Sequence, residues 1–439
     1  MKASIEASNP DVLLVRELGV RQLAAGIFNY TVGTGIFALP AFAVVSLGPA
    51  APAAYLVCAV VMGLVVLCFA EAGSRVSVTG GPYAYVEVAL GPLTGFVAGV
   101  LLWLADLTAT AAVATVFAGS VATLAGAPTA AWLQGALVIS LFVVLAAVNI
   151  RGVRTGARVL EVVTVAKLLP LAVFVVGGAL FVKPGHLAWN GTPEASAILG
   201  TAGVLIFAFA GIEGALIPSR EVVRPSRTVP RAVFLALGAV TALYFAIQLV
   251  AQGILGADLA ADRVTPLATA ARHVAGPVGA TVMVLGAVVS MCGYLSGAML
   301  ATPRCLFAFG RDGFLPRGLA AVHPRYRTPH VAIVTYGALA TALALTGTFE
   351  RLAVLANVSV LALYLLCAIS AWVLRRRDVR TEGEPFRTPG GALVPALACG
   401  AILWVLWETI TRRELVAVGA VLVVAVVLYA IRAARKPSF

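Results

Sequence analysis

Gly33-Thr34-Gly35 interrupts an apolar run at residues 30–40, and Gly211-Ile212-Glu213-Gly214 interrupts another that holds Phe207-Ala208-Phe209-Ala210. Glycines so closely spaced weaken a helix. In lipid, an unwound stretch strands backbone N–H and C=O groups where no water reaches them, so it persists only where it lines a cavity or meets a ligand. A helix broken in this way offers free carbonyls at the end of one half and free amides at the start of the next. The amides attract a carboxylate and the carbonyls accept from an ammonium. An α-amino acid carries both groups on one carbon. Discontinuous helices near the midplane are the sequence mark of a secondary transporter's binding site.

Three charges stand inside apolar stretches. Lys167 lies amid Val165, Ala166, Leu168 and Leu169. An ionisable group at that depth is functional by default, and a lysine snorkelling to the membrane face is the alternative. Glu213 follows the second break, where it either acts as a gate or pairs structurally. Asp106 is flanked by Trp103, Leu104, Ala105 and Leu107. It reads a substrate's side-chain amine, tunes proton access or satisfies a neighbouring helix.

The elements that hold these residues are membrane spans. The chain of 439 residues is 61% hydrophobic and 11% charged, which sets it apart from soluble domains. Windows of about 20 apolar residues predict twelve spans, near 22–46, 52–72, 93–124, 132–149, 159–182, 197–217, 231–254, 276–303, 330–347, 352–374, 392–410 and 414–432. The first carries no small-residue cleavage site and reads as a retained span. Of the 31 Lys and Arg, 24 fall on the side shared by both termini, 6 on the other, and Lys167 within a span. That bias predicts cytoplasmic termini and explains the net charge of +12 without a nucleic-acid partner. The longest external connection is expected near 255–275.

The breaks lie in spans one and six. An offset of five is odd, so two five-span halves must insert with opposite topology, as inverted repeats do. The predicted organisation is a cytoplasmic segment 1–18, a first repeat 19–182, a second repeat 195–375, two further helices in 391–432 and a cytoplasmic tail 433–439. The six cysteines are scattered singly and read as small buried hydrophobes. No GxxxxGK[ST] loop supports ATP-driven transport, and no Ser/His/Asp, HExxH or paired-carboxylate pattern supports an enzyme. The four histidines have no metal spacing, and no cofactor is expected. Asn190-Gly191-Thr192 is a weak glycosylation sequon. Glu408 is expected to pair with Arg412 one turn on.

A set of motifs extends this reading. Gly33-Thr34-Gly35-Ile36-Phe37-Ala38-Leu39-Pro40, Ala70-Glu71-Ala72-Gly73-Ser74-Arg75, Gly80-Gly81-Pro82-Tyr83-Ala84-Tyr85, Ala166-Lys167-Leu168-Leu169, Gly211-Ile212-Glu213, Arg220-Glu221-Val222-Val223-Arg224-Pro225 and Gly310-Arg311-Asp312-Gly313-Phe314-Leu315-Pro316 occur in order. Together they resemble the amino acid–polyamine–organocation superfamily over about 18–375. The resemblance implies an all-α polytopic membrane protein with the LeuT-type fold: a 5+5 inverted repeat with helices 1 and 6 broken, plus two extra C-terminal helices. It implies that the amides and hydroxyl around Gly33, Thr34, Gly35 and Ile36 hold a substrate carboxylate. The carbonyls of Thr31, Phe207 and Ala210 would hold the amino group, with Ala208 and Asp106 in the same site and Phe207 as an outer gate or as core packing. Lys167 stands where sodium-independent relatives have lysine, and Glu213 resembles a proton-sensitive gate. Glu71, Arg75, Glu221 and Arg311 would form inner-gate ion pairs or a solvated loop face, the latter preferred for Arg311. The implied activity is secondary transport of L-α-amino acids across the plasma membrane by alternating access, with a proton as partner ion and without sodium. Exchange, transport of polyamines or organic amines, and a transporter-like receptor are the alternatives.

Overall fold

A computed structural model describes residues 18–76, 81–127, 129–151, 157–189, 191, 193–216, 222–311, 313–326, 328–380 and 383–435. They form sixteen α-helices: α1 Val20–Thr31, α2 Gly35–Leu47, α3 Ala51–Arg75, α4 Pro82–Leu90, α5 Pro92–Leu124, α6 Ala131–Arg151, α7 Ala157–Gly178, α8 Ala195–Phe209, α9 Ile212–Ala215, α10 Pro225–Leu255, α11 Pro266–Ala301, α12 Pro303–Arg311, α13 His330–Thr346, α14 Phe349–Arg376, α15 Leu393–Thr409 and α16 Arg412–Arg435. The described residues contain no strand beyond an isolated bridge between Leu18 and Val222. Helices satisfy their own backbone, which is what a bilayer demands of a spanning chain. Among the described residues, eight helical stretches are long and apolar enough to cross a membrane, and three shorter apolar helices accompany them. The chain is therefore a multi-pass membrane protein.

Burial separates central from peripheral helices. In the most apolar window of α14, 67% of residues are buried, against 17% in α6 and 11% in α16. The last two present Val143, Val144, Val416 and Val423 outward. An apolar surface of this kind suits lipid rather than water. The centre is built where α14 packs on α5, α10 on α3 and α1, and α11 on α7. The broken pairs cross reciprocally: α2 packs on α8, and α9 packs on α1.

The connections hold more structure than the hydropathy predicts. The stretch at 255–275 is no open loop: a 3-10 turn at Gly256–Ala260 leads into α11, whose axis breaks at Ala275 and Gly276. Gly276 takes φ +61°, and Pro277 restarts the helix. The short helices α4 and α12 also fall between predicted spans, being too short for a span window to register.

Glu71 and Arg75 are not a solvated face. Both are 1% exposed, and Glu71 Oε1 accepts from Arg75 Nη2 at 3.1 Å and from Arg375 Nε at 3.0 Å. Thr388 N–H donates to the other Glu71 oxygen at 3.1 Å, and Phe386 N–H donates to Ser74 Oγ at 3.0 Å. The connection after α14 is thus laced to the end of α3. Arg311 is exposed. Arg220 and Glu221, and Asn190 and Thr192 of the sequon, lie outside the described residues. Glu408 accepts from Trp404 Nε1 at 3.3 Å, and the ion pair expected with Arg412 is absent among the described residues.

Candidate functional site

In a continuous helix each N–H donates to the carbonyl four residues earlier. At the first break those partners are exchanged. Gly33 N–H turns to Thr31 O at 2.8 Å instead of Asn29 O. The Lys167 ammonium donates to Asn29 O at 2.6 Å and to Val32 O at 2.8 Å. Val32 O is the acceptor that Ile36 N–H would otherwise have used. Thr31 O, the acceptor Gly35 N–H would have used, instead takes the Tyr244 hydroxyl at 2.9 Å. The amides of Gly35 and Ile36 are left pointing out of the start of α2, as free helix N-terminal donors.

The second break follows the same logic. Gly211 adopts φ +115°, a conformation that only glycine holds without strain. Its N–H, which a continuous helix would give to Phe207 O, goes to the Glu213 carboxylate at 3.0 Å from each oxygen. Tyr364 OH donates to Glu213 at 2.6 Å. Phe207 O is thereby released.

Glycine at these breaks has a second use. A Cβ on Gly35 would lie 2.7 Å from the Cα of Ala208, and one on Gly211 would lie 2.9 Å from Tyr30 O. Each break's glycine admits the backbone of the other. Tyr244 ties them from behind, its hydroxyl lying 2.9 Å from Thr31 O and 3.0 Å from Ala208 O.

A cavity of about 130 Å³ opens at the crossing. Of the residues named from sequence, it brings together Thr31, Gly33, Thr34, Gly35, Asp106, Phe207, Ala210 and Glu213. Thr31 and Thr34 are 3% and 2% exposed, yet their hydroxyls have no hydrogen-bond partner among the described residues. Such orphaned buried groups are costly and call for an explanation. Phe207 stands edge-on to Phe349, with ring centres 5.5 Å apart, while lining the cavity.

Three of the sequence-derived residues lie elsewhere. Ile36 and Ala208 are fully or nearly fully buried and are not among the residues that line the cavity. Ala208 belongs to the contact with Gly35 and Tyr244, one residue being enough to rotate a helical side chain off the face that Phe207 occupies. Lys167 sits behind the first break, 4% exposed. The Thr31 carbonyl expected to hold an amino group already accepts from Gly33 and Tyr244, so its contribution to the cavity is its hydroxyl.

Asp106 lies on α5 with its carboxylate on the cavity wall. It accepts from the Thr302 hydroxyl and, at 3.4 Å, from Tyr294 OH. The sequence reading did not include Tyr30, Trp103, Tyr244, Tyr294, Thr302 or Tyr364. Polar aromatic residues in apolar helices look like core. The one available signal was position: Tyr30 immediately precedes the first break, and Thr302 precedes Pro303 at the end of α11. Of the six cysteines expected to be buried, Cys58, Cys68 and Cys367 are, whereas Cys292, Cys305 and Cys399 are only partly so, and Cys305 lines the cavity.

Multi-pass helices that leave buried hydroxyl groups unpaired around a cavity suit a membrane protein that binds a small molecule. The chain belongs to the amino acid permease family, which it matches over residues 18–431, within the amino acid–polyamine–organocation superfamily. It is 26% identical to the branched-chain amino acid permease BcaP of Bacillus subtilis, over 93% of this chain and 92% of that one. It is 28% identical to the methylthioribose transporter of the same organism, over 92% and 91% of the two chains. It is also 28% identical to the serine/threonine exchanger SteT of that organism, over 90% and 92%. The protein is a transporter and not an enzyme.

Proposed function

We propose that this permease carries L-α-amino acids by alternating access, with the substrate held between the two breaks. The carrying observation is the exchange of backbone partners that frees the Gly35 and Ile36 amides beside two unpartnered hydroxyls, Thr31 and Thr34, in one cavity. The amides and Thr34 take the carboxylate. The released Phe207 carbonyl and that of Ala210 take the ammonium, with the Thr31 hydroxyl beside them. In this reading the chain spans the plasma membrane twelve times with both termini cytoplasmic. Residues 19–182 and 195–375 form the two inverted repeats of a LeuT-type fold, 391–432 the two added helices, and 1–18 and 433–439 the cytoplasmic ends. The pair α1–α2 makes the first span and α8–α9 the sixth.

Transport is independent of sodium. In an unwound helix, carbonyls such as Asn29 O and Val32 O coordinate a cation; here the Lys167 ammonium fills them. Lys167 and Glu213 are the proton-coupling residues of this reading, with proton symport preferred. The similarity to the serine/threonine exchanger SteT favours exchange as the second mode. Proteoliposomes separate the modes. Symport gives uptake driven by an inward proton gradient in sodium-free buffer, exchange gives uptake only with internal amino acid, and a requirement for a sodium gradient contradicts both.

A further inference from the structure

The cavity carries more acceptors than an α-amino acid's own ammonium can use. Two carboxylates, Asp106 and Glu213, stand on its wall, and no Lys, Arg or His lines it among the described residues. Glu213 is engaged by Gly211 N–H and Tyr364 OH. Asp106 is held more loosely: among the described residues its carboxylate accepts from the Thr302 hydroxyl and, at a long 3.4 Å, from Tyr294 OH. A carboxylate has about four acceptor positions, so two remain on a side chain that is only part-buried and lines the cavity.

Asn357 points independently to a donor-rich ligand. It is fully buried on α14 and lines the same cavity. Its amide nitrogen is pinned to Gly203 O at 2.9 Å and Val204 O at 3.2 Å, which fixes the side chain and leaves Oδ1 with no donor. An acceptor buried without a partner is destabilising until a ligand supplies one. An ammonium brings three N–H groups, and a diamino acid brings two ammoniums.

From this surplus we propose that the substrate is an α-amino acid with a second, side-chain cation, of the lysine or ornithine class, and that Asp106 is the residue that selects it. This rests on the amino acid reading above and adds the side chain that reading leaves open. The α-carboxylate and α-ammonium lie at the breaks, and the distal ammonium lies at Asp106, with Asn357 Oδ1 completing the acceptor set of the cavity.

Thermal shift of the purified full-length protein tests it with L-lysine, L-ornithine, L-norleucine and cadaverine as probes. Norleucine matches the lysine chain without the distal charge, and cadaverine lacks the α-carboxylate. Lysine or ornithine is expected to stabilise at concentrations at least about tenfold below those norleucine requires, a difference of about 1.4 kcal/mol, with cadaverine weaker than lysine. Asp106→Asn is expected to erase the preference while norleucine still stabilises. Norleucine acting as well as lysine on the wild-type protein overturns the proposal while leaving the amino acid reading standing, and needs no variant to fold. A preference that survives in Asp106→Asn also overturns it. Stabilisation by cadaverine alone overturns both readings, and stabilisation by none of the four overturns the diamino acid proposal.

Discussion

Lys167 donates to Val32 O at 2.8 Å, the acceptor that a continuous helix would have given to Ile36 N–H. One side chain on α7 thus occupies the acceptor that closing the first break would require, and the Ile36 amide is left without its helical partner. Lys167→Met removes the donor for both Val32 O and Asn29 O. Each buried acceptor so orphaned costs about 1–3 kcal/mol. Uptake should be lost and the melting temperature lowered, and a variant that transports at the wild-type rate would refute the role.

Gly35 and Gly33 should respond differently to alanine. A methyl on Gly35 would meet Ala208 backbone at 2.7 Å, whereas one on Gly33 would find only Thr31 O, at 4.0 Å. Backbone cannot step aside as a flexible side chain can. Gly35→Ala is therefore expected to abolish the ligand-induced thermal shift by separating the two breaks, and Gly33→Ala to retain a folded protein with a measurable shift. Equal effects of the two would show that the close approach at Gly35 is unimportant.

Tyr244→Phe removes one hydroxyl and keeps the ring that stands edge-on to Phe209 at 5.2 Å. The hydroxyl serves Thr31 O and Ala208 O, one on each broken segment. The expected stability loss is about 0.5–1.5 kcal/mol, with a larger proportional loss in substrate affinity, because the two binding segments are no longer tied. Unchanged affinity at reduced stability would assign Tyr244 to packing alone.

Asp262 anchors the start of α11 outside the spans. Burial pushes its carboxyl up, but donors from Thr265 N–H, the Thr269 and Thr265 hydroxyls and Val264 N–H outweigh burial and hold it below its ordinary value of 3.8. A depressed carboxyl stabilises the fold above the unfolded pKa and loses that contribution as pH falls through the folded one. Asp262→Ala should cost about 1 kcal/mol at neutral pH, as other helix-start caps do. The gap between variant and wild type should narrow below about pH 4 in melting curves taken as a function of pH. A gap independent of pH would assign the effect to lost packing.

The breaks were legible in the sequence because glycine in an apolar run conflicts with the helix that lipid requires. Lys167 was legible because a lone ammonium conflicts with its neighbours. What the chain does not advertise is which backbone groups trade partners. Tyr244 reads as one more buried aromatic residue, and only the fold brings its hydroxyl to two carbonyls 36 and 213 residues away in sequence. The family resemblance puts Ala208 in the site, yet the fold packs it against Gly35 and Tyr244. Glu71 reads as an inner-gate ion pair or a solvated face, and its partners Arg375 and Thr388, some 300 residues on, appear only in the fold.

The central claim is that one cavity holds an α-carboxylate on the amides of α2 and an α-ammonium on the carbonyls of α8. Counterflow into proteoliposomes, with the best-transported amino acid inside and out, tests it most directly when its methyl ester, its N-acetyl derivative and its D-enantiomer are added as competitors. The account predicts that the parent L-amino acid competes and that the ester and the acetyl derivative each fail at tenfold higher concentration, with the D-form weaker than the L-form. Full competition by either the ester or the acetyl derivative would show that the corresponding group is not held at the breaks.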